Sequence, residues 1–189
     1  SGTQITNITL ENCVGSSDGN DEIHLDTRGG WCAITMGLYE QAGVGALTGS
    51  GRNTALSHVG AGIDVVSQTD LSVTGVRRFW ANSQDGIVIQ SGAGASTLLV
   101  TTSDFVANGQ TTANTYKGIS NGSSTLKASL IGNTFLDATW QAFGWGSVAG
   151  ATCYMFGNFA TGATGGAAGG TLLPATGGAQ TYNTGTGMP

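Results

Sequence analysis

The chain has 189 residues, among them 33 Gly and 26 Thr, with 2 Pro, 9% charged side chains and a net charge of −5. A charged fraction near one third of the usual ~25%, with acidic groups in excess, excludes a nucleic-acid partner and disorder maintained by charge. Gly and Thr in place of Glu, Lys and Arg disfavour a helical bundle and leave an all-β chain with many tight turns. No run of about 18 apolar residues is present, so no membrane span is expected. Cys13, Cys32 and Cys153 lie in or beside apolar segments. They read as buried free thiols, with a Cys13–Cys32 bridge as the alternative. With isolated histidines and no paired cysteines, no zinc site is expected and no resident metal is assigned.

In chain order, the first alternating apolar segment is Ile5-Thr6-Asn7-Ile8-Thr9-Leu10, closed by Cys13, and Glu22-Ile23-His24-Leu25 follows. Residues 39–54 form the longest insertion between repeats, and loops carry function more often than scaffolds do. Beyond it come Gly62-Ile63-Asp64-Val65, the pair 69–73 and 79–82, and Gly86-Ile87-Val88-Ile89. The pattern continues with 97–100 and 105–108, Gly118-Ile119-Ser120-Asn121, 125–130 and Phe135, Ala142-Phe143-Gly144-Trp145, and 152–156 with Phe159. The central apolar residue recurs at 23, 63, 87, 119 and 143, in steps of 40, 24, 32 and 24 residues. Each unit holds two or three strands of alternating polarity, with Gly, Asn and Ser at the corners. A unit this short cannot bury its apolar face alone, so units stack, strand on strand at about 4.8 Å. Residues 1–160 therefore read as rungs of a parallel β-helix and 161–189 as a Gly/Thr/Ala-rich tail that caps the last rung or contacts another subunit.

The stretches Leu71-Ser72-Val73-Thr74-Gly75-Val76-Arg77-Arg78-Phe79-Trp80-Ala81-Asn82-Ser83-Gln84-Asp85-Gly86-Ile87-Val88-Ile89 and Leu99–Gln110 with Tyr116–Ser120 resemble rungs of the pectin-lyase superfamily. That resemblance covers about residues 3–160 and implies a right-handed parallel β-helix of about six rungs, most like a phage tailspike-type domain. It rests on the repeat, so it speaks for the fold and leaves function open among lyases, glycoside hydrolases and tailspikes. The chain enters its first rung without a covering helix, which implies that another chain covers that end or that the sequence is part of a longer protein.

Placing the central apolar residue inward puts His24, Asp64, Val88, Ser120 and Gly144 in one outward column, and Asp21, Ala61, Asp85, Lys117 and Gln141 in a second. Asp21, His24, Asp64, Asp85 and Lys117 then share one face. Carboxylates one rung apart would sit about 5 Å from each other and two rungs apart about 10 Å, distances near those of retaining and inverting glycosidases. Asp21, Asp64, Asp85 and Lys117 are accordingly the candidate catalytic set, with Lys117 as a lyase base or Ca²⁺ held by the aspartates in the lyase case. Asp85 before Gly86 also fits plain turn chemistry. Trp80 follows inward Phe79 and points outward beside Arg77 and Arg78, which with His24 and a loop-borne Tyr39 form the candidate glycan-binding set. Asn82 and Asn108 fit a stacked corner ladder. The expected function is a spike module that binds host or environmental polysaccharide within an extracellular or virion-surface assembly, a homotrimer or a larger set of chains. A polysaccharide depolymerase and a purely structural spacer are the alternatives.

Overall fold

The structure, a computed structural model, describes residues 7–16, 21–42, 60–94, 96–109, 116–136, 143–148, 150–161 and 181–185. Each turn of chain is three short strands. The first holds β1 (Asn7–Glu11), β2 (Val14–Ser16) and β3 (Ile23–Leu25); the second β4 (Gly30–Thr35), β5 (Leu38–Glu40) and β6 (Ile63–Val65). The third holds β7 (Thr69–Thr74), β8 (Arg78–Trp80) and β9 (Ile87–Ile89); the fourth β10 (Thr97–Thr101), β11 (Asp104–Val106) and β12 (Lys117–Asn121). β13 (Lys127–Ile131), β14 (Thr134–Leu136) and β15 (Phe143–Ser147) follow, then β16 (Thr152–Thr161) and β17 (Thr181–Gly185). Equivalent strands pair in parallel, as β1-β4-β7-β10-β13-β16 on a first face, β2-β5-β8-β11-β14-β16 on a second and β3-β6-β9-β12-β15 on a third. The chain is thus an all-β parallel solenoid, in which β1 to β13 spans about four complete turns against the six rungs expected. Among the described residues no helix is long and apolar enough to cross a membrane.

The bend between first and second faces has one cause at every level. Asn12, Met36, Gly75, Thr102, Gly132 and Gly157 all adopt left-handed backbone, with φ between 48° and 63°. Each N–H of the first five goes to the carbonyl just before the corner of the next turn: Asn12 to Thr35, Met36 to Thr74, Gly75 to Thr101, Thr102 to Ile131 and Gly132 to Phe156. The corners therefore stack, and the hydrogen bond made by each offsets the strain that non-glycine residues carry there.

Inward side chains form columns that run the length of the winding. Tyr39, Phe79, Phe105 and Phe135 stack with ring centroids 5.6, 4.7 and 5.0 Å apart. Ile63, Ile87, Ile119 and Trp145 form the third-face column, all within 1% of full burial. Pairing of Ile119 with Trp145, and of Lys117 with Phe143, corrects the expected register, which had Phe143 at the inward position. A two-residue slip preserves the in-out alternation of a strand, so period alone could not expose the error. Buried amides close the corners. Asn82 Nδ2 donates to Asn108 Oδ1 at 2.8 Å, the ladder expected from sequence. A second ladder was not expected: Asn133 Oδ1 accepts from Ser103 N–H at 3.0 Å and Asn133 Nδ2 donates to Asn158 Oδ1 at 3.0 Å. Both are needed because the corner backbone is sealed from water.

The three cysteines are free thiols, Cys32 and Cys153 buried and Cys13 half-buried, so the alternative bridge is not formed. Leu38–Glu40 is strand, so the first residues of the expected 39–54 insertion belong to the winding, and residues 43–54 lie outside the described set. Thr181–Gly185 pairs with β16, which ties that part of the C-terminal segment to the last turn.

Candidate functional site

β3 and β6 pair in parallel with His24 opposite Asp64, so stacking brings together two residues 40 positions apart on the outer surface of the third face. Asp21, just before β3, joins them. His24 Nδ1 lies 3.1 Å from Asp64 Oδ2 and 4.0 Å from Asp21 Oδ2. Both carboxylates are 1% exposed as side chains and the imidazole is 37% exposed. Each carboxylate is anchored through its other oxygen. Asp21 Oδ1 accepts the N–H groups of Gly60 and Ala61 at 3.0 and 2.8 Å, and Asp64 Oδ1 accepts from Gln90 Nε2 at 2.8 Å. Burial pushes the Asp21 carboxyl up to about 6, with the Ala61 N–H pulling the other way and the Asp64 charge raising it further.

The expected catalytic set divides. Asp21 and Asp64 meet at His24, whereas Asp85 is 3% exposed and its Oδ1 accepts the Lys117 backbone N–H at 2.8 Å. Asp21 does the same for Ala61, so both aspartates of that column hold the chain of the following turn at the equivalent level. Lys117 turns its side chain across Gly146, where an added Cβ would collide with Lys117 Cδ and Cε. It lines a groove of about 370 Å³ on the outer surface of β9, β12 and β15, floored by Val88, Ser120 and Gly146 and edged by Gln90, Asn121, Ser147 and Val148. Its floor continues the His24–Asp64 column, because Asp64 pairs with Val88, Val88 with Ser120 and Ser120 with Gly146. The column expected from sequence is therefore correct except at its last member, Gly146 in place of Gly144. Gln90 reaches both the groove and Asp64. No motif marked it, since its role arises from the turn that follows β9.

The expected glycan-binding set also separates. Arg78 and Trp80 do share the outer surface of β8, with the guanidinium 5.9 Å from the ring centroid, and Arg77 is exposed beside them. Trp80 is half-buried, so Arg78 occupies part of the surface that a sugar would use. Tyr39 is 2% exposed and stacked on Phe79 in the core, which corrects its expected loop position. His24 belongs to the third face, away from β8 in the winding. What the chain offers chemically is thus a polar groove ending at a buried acid–imidazole cluster on one face and a capped Trp–Arg pair on another. Comparison with family models, with curated proteins and with solved structures finds no match to this chain.

Proposed function

We propose that this chain is a polysaccharide-binding solenoid module of a larger extracellular or virion-surface assembly, with the glycan lying in the third-face groove. The observation that carries this reading is the groove itself. Its floor is flat and small-residued at Ser120 and Gly146, and its walls offer amide, hydroxyl and ammonium groups from Gln90, Ser147 and Lys117 beside the apolar Val88 and Val148. A sugar ring presents both hydroxyls and C–H faces, and a few placed polar groups over an apolar strip recognise that mixture. The parallel solenoid fits the architecture implied by the resemblance to the pectin-lyase superfamily and its tailspikes. Assembly is supported by Tyr154, Phe156 and Phe159 on β16, which are 43%, 46% and 42% exposed.

The test is a titration of the full chain with a panel of neutral and acidic oligosaccharides. A ligand should emerge whose affinity falls at least about tenfold in Ser120→Trp, which fills the groove floor, and several-fold in Lys117→Ala. Trp80→Ala should leave it unchanged. Binding that survives Ser120→Trp and disappears in Trp80→Ala moves the site to the β8 surface, and a panel with no ligand at all sinks the reading.

A further inference from the structure

We propose that Asp21, His24 and Asp64 form a binding site for one divalent first-row transition cation of the Zn²⁺ class, which clamps β3 to β6. One ligand atom from each of the three residues lies within 4.8 Å of the other two. Metal–nitrogen and metal–oxygen bonds of about 2.0–2.2 Å place neighbouring ligand atoms roughly 3.0–3.5 Å apart and opposed ones about 4.2 Å apart. The 3.1 Å from His24 Nδ1 to Asp64 Oδ2 is that of neighbouring ligands, and the 4.0 Å to Asp21 Oδ2 is wider, so Asp21 would close by about half an ångström on the ion.

The orientation of the carboxylates argues the same way. Ligating carboxylates are held by hydrogen bonds from a surrounding layer, which fixes the free oxygen toward the metal. Here Gly60 and Ala61 hold Asp21 Oδ1, Gln90 holds Asp64 Oδ1, and the two Oδ2 atoms turn toward one imidazole nitrogen. Asp21 supplies an independent sign. Its side chain is 1% exposed, and Oδ2 meets no hydrogen-bond donor among the described residues. A buried carboxylate oxygen in that condition is costly unless a cation satisfies it.

The donor set selects the metal. One imidazole with two carboxylates suits Zn²⁺ or its neighbours, whereas Ca²⁺ takes six to eight oxygens. Two carboxylates facing one neutral imidazole carry negative charge that a divalent ion balances. The 37% exposure of His24 leaves an entry route beside the imidazole. The site also has a place in the fold. β3 is three residues long and is an end strand of the third face, with β6 as its neighbour among the described residues, so a metal would brace a strand held on one side. No sequence spacing announces such a site, because Asp64 reaches it from the following turn.

The full chain, stripped with EDTA and returned to chelator-free buffer, is titrated with ZnCl₂ by calorimetry and melted with and without the ion. One Zn²⁺ should bind per chain and raise the melting temperature. His24→Ala removes a partly exposed side chain without opening the core and should weaken binding at least about tenfold. Gln90→Ala, which removes a group that orients Asp64 without removing a ligand, should weaken it about 10–100-fold. Co²⁺ should give visible ligand-field bands in the wild-type chain that vanish in His24→Ala. No Zn²⁺ heat in the wild type, unchanged affinity in both His24→Ala and Asp21→Asn, or Ca²⁺ bound in preference to Zn²⁺ would each overturn the proposal.

Discussion

Three ionisable groups sit inside the winding without charged partners to compensate them, and their burial has a consequence for pH. Cys32 and Cys153 are pushed up by burial from the ordinary 9.0 to about 11 and about 12. Tyr39 is pushed up from 10.0 to about 12, by burial first and by the nearby Cys13 and Cys32 second. All three ionise by losing a proton, and the apolar columns of Leu, Val and Phe around them disfavour the anion. The unfolded chain therefore loses these protons at lower pH than the folded one. Their contribution to stability is complete below about pH 9 and is lost as pH rises from there toward 12. The urea midpoint should hold steady from pH 7 to 8.5 and fall steeply between pH 9.5 and 11.5. Cys153→Ala, whatever it costs at neutral pH, should make that fall shallower. A midpoint that drops equally in the wild type and in a Cys32→Ala/Cys153→Ala double variant would assign the alkaline loss elsewhere. At pH 8 an alkylating reagent should modify half-buried Cys13 and spare the other two.

At the scale of the strand and its corner, two glycines separate backbone freedom from space. Gly157 has φ of 62°, and a Cβ there would meet nothing within 4 Å. Gly157→Ala should therefore cost about 1 kcal/mol, the left-handed penalty alone. Gly86 has no such backbone demand, yet its Cβ would lie 2.6 Å from the Gly118 carbonyl oxygen and 2.8 Å from Phe105 Cδ1. Neither a backbone atom nor a ring locked in a stack can move aside, so Gly86→Ala should cost more than 2 kcal/mol by urea denaturation. Equal costs would remove the distinction. The same close approach explains why Gly precedes Ile at 62 and 86, where a Cβ would meet the next turn's carbonyl and a stacked ring. That pattern, with strict alternation in 69–74 and 97–101, made the stacked parallel fold legible. The six-residue strand Gly30–Thr35 was not recognised, because its run of Gly and Trp lacks the flanking signals and abuts the insertion. Of the site, the meeting of Asp21, His24 and Asp64 was legible because one column stacks Asp64 on His24 and Asp21 shares the level of His24. Asp85 and Lys117 do not join that cluster, because pattern places a residue on a face but not its side-chain direction. Asp85 turns to the backbone of the next turn and Lys117 to the groove.

The whole molecule carries few charges and an uneven surface, and together these bear on its assembly. Outward positions on the first face pair Leu99 with Ser129 and Ser129 with Tyr154, and Thr101 with Ile131 and Ile131 with Phe156. The apolar share of that surface thus grows toward β16, where Tyr154 and Phe156 are exposed on one side of the Gly157 corner and Phe159 on the other. A band of three exposed aromatics around a corner is more than the scattered apolar side chains a monomer surface carries. Net charge of −5 over 189 residues offers little repulsion to keep copies apart. A closed ring of three copies packed through this band would bury it without leaving an open end on which fibres could grow. Under the proposed trimeric assembly, multi-angle light scattering of the 18.9 kDa chain should give about three times that mass at micromolar concentration. Tyr154→Asp with Phe156→Asp should shift it to monomer while the far-ultraviolet dichroism stays that of the wild type, since both side chains point away from the columns. A wild-type chain that remains monomeric to hundreds of micromolar, or a trimer indifferent to the double variant, would dissociate the aromatic band from assembly.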